Sequence, residues 1–501
     1  MQRTAGMPLT ELLPGLPSVP AIGIEGIASD SRAVRPGDLF IAVPGGSGHG
    51  MDYVAAAVAG GATAVAVDPE GLAELPASAD VPLVTVPGLK GMVGTIANRF
   101  FDSPSAAVEV VGVTGTNGKT TVAWLLAESA RRLGRTAGYL GTLGAGVGTT
   151  LSGGSLTTPD TIEIHATLAQ FRDAGADLAA LEVSSHALDQ DRIAGVRLEA
   201  AVFTNLSRDH LDYHGSMDAY FAAKAKLFLE CGPAQRIVGV DTRYGRELAA
   251  AAGPGTVAVT LHPERPRHDG PYLAVHPIQP TPSGSTFGFA STWGDGRVSL
   301  PMPGGFNVAN AALALATLLT LGVSVEDAVT AVSGVTAPPG RLERINAGAG
   351  GDRPAVYVDF AHTPEALEAV LAALRPHVEG RLHVVFGAGG DRDAGKRPLM
   401  GAAVERRADH VVLTSDNPRG EAPERIVDDV LGGFLRPRDV VVVEERSAAI
   451  HHAIHSARAA DTVLIAGKGH EQFQEIGGDK RPFSDRLVAA AALEAWPGGR
   501  S

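Results

Sequence analysis

The 501-residue chain lacks several features that mark whole classes of protein. It has a single cysteine, Cys231, so no disulfide can form within the chain, and this favours the reducing cytoplasm. No stretch approaches the roughly 18 consecutive apolar residues of a membrane-spanning helix. The N-terminal stretch is interrupted by prolines and is not typical of a signal peptide. We therefore expect a cytoplasmic protein that does not bind membranes.

Positive charge is also scarce. Lys and Arg number 42 against 55 Asp and Glu, which gives a formal net charge of −13. Because nucleic-acid binding needs a basic surface, this excess of acid argues against DNA or RNA as the main partner. A local basic pocket for one phosphorylated small molecule is still allowed.

The chain does contain a repeated alternation of apolar runs and loops. Its length favours about three domains. Residues 21–104 hold the short apolar runs of a small α/β domain, and from Val108 strands and helices alternate as in a doubly wound parallel sheet. A "PPG" at 338–340 precedes a third α/β unit. We therefore predict an α/β protein with three domains, at 1–105, 106–340 and 341–501.

The segment "GTNGKTT" (115–121) lies between a predicted buried strand and an amphipathic helix. Glycines let backbone N–H groups face an anion, and the start of a helix adds a positive dipole. Lys119 would reach the β- and γ-phosphates, and the Thr120 hydroxyl would ligate Mg²⁺. The alternative is a Gly-rich turn without a ligand. The pattern favours ATP or GTP without specifying a reaction, and the predicted binding residues are Gly115, Thr116, Asn117, Gly118, Lys119, Thr120 and Thr121.

Further charged side chains lie where a parallel sheet binds ligands. Glu182 ends the predicted strand "LAALEV", and a carboxylate at the carboxyl end of a parallel strand can hold Mg²⁺. His210 follows the next strand, although an ordinary loop histidine explains it equally well when it is taken alone. Lys224 and Lys226 lie on a predicted helix, where most lysines are simply solvated.

A series of short motifs follows in one order between residues 114 and 471: "TGTNGKTT", "TTPD", "EVSSHALDQDR", "TNLSRDHLDYHG", "AAK", "FNVANAALA", "GRLE", "AHTPEAL", "GGDRDAGKRP", "DNPR" and "GKGHE". In this set and order the chain resembles the Mur ligases, and within them the MurE type. The N-terminal "SDSRAVRPGDLFIAVPG" (29–45) also resembles the family's UDP-binding domain. The likeness therefore covers nearly the whole chain.

The resemblance implies a small N-terminal UDP-binding domain, a central P-loop ATPase domain and a C-terminal Rossmann-like domain. It implies an ATP-dependent amide ligase of peptidoglycan precursor synthesis. The carboxylate of UDP-N-acetylmuramoyl-L-alanyl-D-glutamate would take the γ-phosphate of ATP, and an amine would then displace phosphate from the acyl phosphate. ATP and Mg²⁺ are the implied cofactors, and we expect a monomer.

The resemblance also implies a catalytic group of Lys119, Lys224, His210 and Glu182. Lys224 matches a family lysine that reacts with CO₂ to become a carbamate, which is an oxygen ligand. Mg²⁺ would then be held by Thr120, Glu182, His210 and the Lys224 carbamate. Lys226 has no such match, and we expect it at the surface.

Two further sets match positions that bind the nucleotides. ATP would also be contacted by Asn307, Arg341 and Asp359, for each of which a structural role is the alternative. The UDP-substrate would be bound by Ser31, Thr157, Thr158, Ser184, Gln190, Arg192 and Lys224. "TTPD" also predicts a helix start near Asp160, and both roles are compatible.

The last set concerns the incoming amino acid. Residues that match the pocket of diaminopimelate-using enzymes are Arg392, Asp416, Asn417, Pro418, Arg419, Gly467 and Glu471. "DNPRG" (416–420) is typical of a turn, and Arg419 within it can grip a carboxylate in a fork. Glu471 or Asp416 would receive the far ammonium. Lysine lacks the second carboxylate and would leave Arg419 unpaired, at a cost of roughly a few kcal/mol.

Other hypotheses stay open. The same type of ligase could add L-lysine instead, but a pocket without Arg419 would favour that. A folylpolyglutamate synthase shares the ATPase but lacks the UDP-type N-terminal domain. A phosphate-loop motor would not need "EVSSHALDQDR" or "GKGHE". A catalytically silent nucleotide-binding protein would have lost Lys119, Lys224 or His210, and this chain has all three.

Overall fold

The computed structural model describes residues 6–17, 19–46, 48–72, 80–148, 150–154, 156–346 and 353–498. The chain divides into two compact units. The first contains Met1–Lys119 and Leu133–Val257, and the second contains Thr120–Arg132 and Ala258–Ser501. Among the described residues, no helix has the length and apolar character that crossing a membrane requires.

The first unit opens with β1 (Met7–Pro8), α1 (Leu9–Leu12), β2 (Gly23–Ile24), β3 (Gly26–Ala28), β4 (Asp38–Ala42), α2 (Val54–Ala59), β5 (Ala64–Val67), β6 (Leu83–Thr85) and α3 (Leu89–Phe100). Strands β3 to β6 pair in chain order as a parallel sheet, and β1 pairs with β2. Every residue of β4 and β5 is buried, as expected for parallel strands covered on both faces. The small α/β fold predicted for this segment is confirmed.

The chain continues with β7 (Glu109–Thr114), α4 (Lys119–Arg132), β8 (Ala137–Gly141), β9 (Gly144–Val147), α5 (Thr161–Asp173), β10 (Leu178–Glu182), α6 (Ser185–Asp189), β11 (Ala200–Phe203), α7 (Leu211–His214), α8 (Met217–Leu229), β12 (Gln235–Gly239) and α9 (Arg243–Ala252). Helix α4 after Lys119 belongs to the second unit. The strand order of the first unit is β12-β11-β7-β10-β8-β9, and only β8 and β9 are antiparallel. The carboxyl ends of β7, β10 and β11 therefore meet at one edge.

After α9 the chain forms β13 (Val257–Thr260), β14 (Tyr272–Thr281), β15 (Gly284–Ser291), β16 (Gly296–Leu300), α10 (Gly305–Thr320) and α11 (Val325–Ser333). From Ala258 onward these residues belong to the second unit. Strands β14, β15 and β16 are an antiparallel meander. Twelve residues of α10 are buried, which agrees with its apolar sequence.

The C-terminal part contains β17 (Glu343–Ile345), β18 (Ala355–Asp359), α12 (Pro364–Leu374), β19 (Leu382–Phe386), α13 (Lys396–Glu405), β20 (His410–Leu413), α14 (Pro423–Leu431), β21 (Val441–Val442), α15 (Arg446–Ser456), β22 (Thr462–Ala466), β23 (Phe473–Ile476), β24 (Asp479–Pro482) and α16 (Asp485–Glu494). Its sheet runs β17-β18-β22-β19-β20-β21, parallel except for β17. Apolar clusters cover both faces. The predicted Rossmann-like α/β unit is confirmed, and the sequence did not indicate the hairpin of β23 and β24.

Candidate active site

The phosphate loop follows β7 and leads directly into α4, as predicted. Gly115 and Gly118 have φ angles of 146° and 87°, which favour glycine. A Cβ on Gly115 would collide with the hydroxyl of Thr204, which follows β11. The backbone N–H of Thr116 donates to the carbonyl of Asn205 (2.9 Å), so the loop is braced by the segment after the neighbouring strand.

Two lysine amines meet at the loop. Lys224 Nζ donates to the carbonyl oxygen of Gly115 at 2.8 Å, and Lys119 Nζ donates to the same oxygen at 3.0 Å and to Thr116 at 2.9 Å. Lys224 is buried on the apolar face of α8 beside Tyr220 and other core residues of that helix. Burial, and then the charge of Lys119, hold the pKa of Lys224 well below its ordinary value. Both effects favour the neutral amine more than at an exposed lysine, and the neutral amine is the nucleophilic form.

Tyr220 connects this pair with His210. The Lys224 amine lies 4.7 Å from the centre of the Tyr220 ring, and the Tyr220 hydroxyl is 3.1 Å from Thr116 Oγ1. The His210 ring centre is 6.0 Å from that of Tyr220, and Asp209 lies 3.5 Å from its Nε2. His210 has a left-handed φ of 51° and is half-exposed. Lys224 and His210 thus both lie against the Tyr220 ring, and Lys119 meets Lys224 at the carbonyl of Gly115.

Glu182 is buried at the end of β10, the strand beside β7. Its Oε1 accepts from the Tyr139 hydroxyl and from the N–H of Thr142 (2.9 Å), and Oε2 accepts from the Thr142 hydroxyl (3.1 Å). These donors fix the orientation of the carboxylate. Thr120 and Thr121 are buried in the first turn of α4.

The residues predicted to hold Mg²⁺ (Thr120, Glu182, His210 and Lys224) are not a conventional carboxylate–histidine cluster. Within the described residues, no three His, Cys, Asp or Glu side chains come together in a way that could hold a metal ion. The predicted set differs because a hydroxyl and a modified lysine would complete it. Its role in Mg²⁺ binding therefore stays a prediction.

Lys226 is half-buried and lies 3.8 Å from Asp189.

Most residues predicted to bind the UDP-substrate are connected to one another by hydrogen bonds. Thr158 Oγ1 donates to the carbonyl of Glu182 (2.9 Å) and accepts from the N–H of Ser184 (3.0 Å). Arg192 donates to the carbonyl of Thr158 (2.8 Å) and to Gln190 Oε1 (2.7 Å). Ser184 caps α6. A polar surface therefore surrounds the end of β10.

Two members of that set lie at its margin. Thr157 reaches it only through the Thr142 hydroxyl, at 3.1 Å. Ser31 lies in the 3₁₀ turn Ser31–Ala33, and the contacts of the described residues do not connect it with the others. Asp160 caps α5 by accepting from the N–H of Glu163 (2.9 Å), which confirms the predicted helix start.

In the second unit, Arg341 and Asp359 lie together. The Asp359 carboxylate accepts from the N–H groups of Leu342 (2.7 Å) and Ala361 (2.8 Å). Burial raises the pKa of Asp359, and the nearby charge of Arg341 opposes this rise. The Arg341 guanidinium lies 4.8 Å from the centre of the Phe360 ring. Asn307 is buried in α10 and donates to the carbonyl of Pro303 (2.9 Å).

The "DNPRG" segment follows β20, and Arg419 lies in the predicted turn: the N–H of Glu421 donates to the carbonyl of Pro418 (3.1 Å), and Arg419 has a left-handed φ of 53°. It forms a parallel bridge with Ile476: its N–H donates to the carbonyl of Glu475 (3.0 Å), and its carbonyl accepts from Gly477 (2.7 Å). Its guanidinium donates to the carbonyl of Gly390 (2.8 Å) and lies 3.4 Å from the Glu475 carboxylate. The hairpin of β23 and β24, rather than Pro418 alone, therefore holds this arginine.

The other predicted amino-acid-binding residues gather at the same sheet edge. Asn417 donates to Glu471 Oε2 (3.0 Å). Asp416 is buried, and a Cβ on Gly467 would press against its carboxylate, so only glycine fits there. Arg392 is exposed in the loop after β19.

Comparison with known proteins decides the family. Family models match residues 23–101 ("Mur ligase family, catalytic domain"), 113–318 ("Mur ligase middle domain") and 340–469 ("Mur ligase, glutamate ligase domain"). Two curated relatives are both described as UDP-N-acetylmuramoyl-L-alanyl-D-glutamate--2,6-diaminopimelate ligase. The Pseudomonas aeruginosa protein is 47% identical over 94% of this chain and 96% of its own length, and the Ectopseudomonas mendocina protein is 47% identical over 98% and 99%. The chain belongs to the Mur ligase family.

A solved structure of a protein with the same description agrees with this assignment. It is 34% identical, covers 98% of this chain and 99% of its own, and superposes with a TM-score of 0.73. The likeness to the MurE type is therefore confirmed in both sequence and fold. As a Mur ligase, the protein is an enzyme of the class that forms amide bonds at the expense of ATP.

Sequence reasoning missed two buried cations of this Mur ligase. Lys468 is fully buried and donates to Asn417 Oδ1 (2.8 Å) and Glu471 Oε2 (2.7 Å). Arg397, also buried, binds Glu421 and Asp429. The signal was a lysine inside "GKGHE" and an arginine inside "GKRP". Glu471 lies in the same motif as Lys468, but the sequence does not show the other partners (Asn417, Glu421 and Asp429), which are remote from each cation along the chain.

Proposed function

We propose that the protein is an ATP-dependent ligase that joins diaminopimelate to a carboxylate of UDP-N-acetylmuramoyl-L-alanyl-D-glutamate. Relatives of that description, 47% identical over nearly their whole length, support the proposal. The observation in the molecule that carries it is Arg419, whose backbone is bound by Glu475 of β23 and by Gly477 just after it, at the edge that also carries Asn417 and Glu471. We further propose that it acts as a monomer in the cytoplasm, where ATP and nucleotide-linked precursors are made.

The first step transfers the γ-phosphoryl group of ATP to the substrate carboxylate. A carboxylate oxygen attacks the γ-phosphorus, the bond to the bridging oxygen breaks, and ADP leaves. Gly115 to Thr121 are proposed to surround the phosphates. N–H groups at the start of α4 and the Lys119 amine, which is already positioned at the loop, would stabilise the added negative charge. Asn307, Arg341 and Asp359 are proposed as further ATP contacts.

The donor set fits Mg²⁺ by its chemistry. Glu182 presents an oriented carboxylate, Thr120 a hydroxyl and His210 an imidazole. Mg²⁺ would neutralise phosphate charge during transfer. A carbamate on Lys224 would supply a further oxygen, which suits a cation that prefers oxygen ligands.

Carbamate formation is consistent with the environment of Lys224. The neutral amine attacks the carbon of CO₂, a nitrogen–carbon bond forms, and one proton leaves. Burial, and then the positive charge of Lys119, disfavour the ammonium, and the charge of Lys119 would favour an anion at the same position.

The second step forms the amide. The amine nitrogen attacks the acyl carbon, phosphate departs with the bonding electrons, and the amine loses a proton. Ser31, Thr157, Thr158, Ser184, Gln190 and Arg192 are proposed to bind the UDP-linked substrate. We keep domain limits of 1–105, 106–340 and 341–501 for the UDP-substrate, ATP and amino-acid domains.

Selection of the amino acid is assigned to the C-terminal set: Arg392, Asp416, Asn417, Pro418, Arg419, Gly467 and Glu471. Arg419 would pair with the second carboxylate of diaminopimelate. L-Lysine has no such group and would leave a partly buried arginine without its substrate partner.

The test is amide formation from UDP-N-acetylmuramoyl-L-alanyl-D-glutamate and ATP-Mg²⁺ with meso-diaminopimelate, LL-diaminopimelate or L-lysine, read by phosphate release and product mass. Product with a diaminopimelate isomer and not with lysine is expected, and it would identify the isomer. Product with lysine alone would overturn the role of Arg419. No product with any of the three would favour a silent nucleotide-binding protein.

A further inference from the structure

Two separate segments of the C-terminal domain meet beside Arg419. The first is the loop 387–395 after β19, which carries Arg392, and the second is the segment 414–422 after β20, which carries Arg419. Four direct hydrogen bonds join them: Gly390 N–H to Asn417 (2.9 Å), Arg419 to Gly390 (2.8 Å), Gly420 N–H to Asp391 (2.9 Å) and Asp391 N–H to Glu421 (2.5 Å). We call these two hydrogen-bonded segments the seam, and the spacing of Arg392 and Arg419 depends on it.

A buried arginine, Arg397, also joins the two segments of the seam. Arg397, in the first turn of α13, is only 1% exposed. It donates to both carboxylate oxygens of Glu421 (2.7 and 3.0 Å) and to the carbonyl of Gly389 (3.2 Å). It therefore binds one group on each of the two segments. Such a fork fixes direction as well as distance, which a single contact would not do.

Glu421 is the other half of this arrangement. Its Oε1 accepts at once from Arg397 and from the N–H of Asp391, and its own N–H donates to the carbonyl of Pro418 (3.1 Å). Arg397 holds the pKa of Glu421 down, at about 2, so the carboxylate stays ionised at neutral pH. Asp429 accepts from the other side of the Arg397 guanidinium (2.8 Å) and lies on α14, outside both segments.

We propose that Arg397 and Glu421 are a positioning pair that sets the spacing of Arg392 and Arg419, and thereby the selection of a dicarboxylic over a monocarboxylic amino acid. The proposal rests on the function proposed above. Neither residue needs to touch substrate. Losing the pair lets the two segments separate, so the second carboxylate of diaminopimelate is gripped less well, while ATP and the UDP-linked substrate are unaffected.

The test compares Glu421→Gln with Asp429→Asn. Each substitution neutralises one of the two carboxylates that bind Arg397, but only Glu421 belongs to the seam. With Glu421→Gln we expect the KM for diaminopimelate to rise roughly tenfold or more, since charged hydrogen bonds are lost at the pocket, and its preference over lysine to fall by a similar factor. The KM values for ATP and for the UDP-linked substrate should stay within about twofold, and kcat should change less than KM.

Asp429→Asn should leave the KM for diaminopimelate unchanged, even if it lowers the melting temperature as much as Glu421→Gln does. Arg397→Lys, which keeps the charge and loses the fork, should reproduce the effect of Glu421→Gln. Equal KM values for diaminopimelate in the Glu421→Gln and Asp429→Asn proteins would overturn the positioning role. Absence of amide product from the unaltered protein would instead overturn the proposed function. If Glu421→Gln fails to fold, the KM values for diaminopimelate of Arg397→Lys and Asp429→Asn are compared instead, and equal values would overturn the positioning role.

Discussion

The side-chain amine of Lys224 lies 2.8 Å from the carbonyl oxygen of Gly115, the first glycine of the phosphate loop. A lysine from a helix 109 positions further along the chain thus reaches the backbone that would surround the phosphates. Lys119 donates to the same oxygen. Burial of the Lys224 amine lowers its pKa most, and the charge of Lys119 at the same acceptor lowers it further.

The first prediction concerns CO₂. Protein depleted of CO₂ should lose ligase activity and regain it with bicarbonate, because the carbamate would form on the neutral Lys224 amine. Lys224→Arg should lower kcat by on the order of a hundredfold or more and remove the bicarbonate response, since a guanidinium stays charged. Phosphate release measures both effects. Lys226→Arg, two positions away, is the control and should behave like the unaltered protein. A full bicarbonate response in Lys224→Arg would contradict the prediction.

The second prediction concerns Arg419. Arg419→Lys keeps a positive charge but loses the two-pronged grip, so the KM for diaminopimelate should rise by roughly ten- to a hundredfold with little change in the KM for ATP. The exposed Arg438, changed to Lys, serves as control. Steady-state kinetics with each substrate varied in turn provides the measurement. An unchanged KM for diaminopimelate would remove Arg419 from the pocket.

The third prediction concerns Lys468. Its amine neutralises Glu471 and orients Asn417, so Lys468→Met would leave a buried site with uncompensated negative charge. We expect a lower melting temperature and a KM for diaminopimelate raised by about tenfold or more. Lys480→Met is the matched control, because Lys480 also lies over the Phe473 ring but carries neither hydrogen bond. Similar kinetics for the two variants would contradict the assigned role.

The fourth prediction concerns pH. Burial, and then Arg341, lower the pKa of His470 from 6.5 to about 4. Above pH 6.5 both the folded and the unfolded chain carry a neutral imidazole. Between pH 6.5 and 4 only the unfolded chain takes up the proton, so stability falls as the pH falls, by roughly 3 kcal/mol in total.

His470→Asn should remove this part of the acid destabilisation. The difference in unfolding free energy between variant and unaltered protein, from urea titrations at several pH values, should therefore change across the window from pH 6.5 to 4. His452→Gln, at an exposed position, is the control. A constant difference across that window would show that His470 is not held neutral by the fold.

Sequence patterns were most informative where a local rule applies. The phosphate loop was predictable because the glycines, lysine and helix start lie within seven residues of "GTNGKTT". The strands of the C-terminal sheet were predictable because parallel strands buried on both faces are continuous apolar runs. The position of Glu182 at a strand end followed from the same rule, and the fold agrees.

Other features escaped the sequence because they depend on pairs that are remote along the chain. Taken by itself, Lys224 favoured a solvated lysine, and only the family resemblance suggested otherwise. Lys468 meets Asn417 across 51 positions, and Arg397 meets Glu421 across 24. Arg419 lies in the turn that Asp, Asn, Pro and Gly predict, but the sequence did not show that its backbone also bridges Ile476.

The sequence by itself determined the α/β class, the nucleotide loop, the order of motifs and so the family, because each of these depends on residue types at short, fixed spacings. Tertiary structure alone decided which charges are buried and what they touch. The apolar face of α8 brings Lys224 to Gly115, and packing of α13 brings Arg397 to Glu421. The charge state of a group depends on its surroundings, and folding assembles those surroundings from distant parts of the chain.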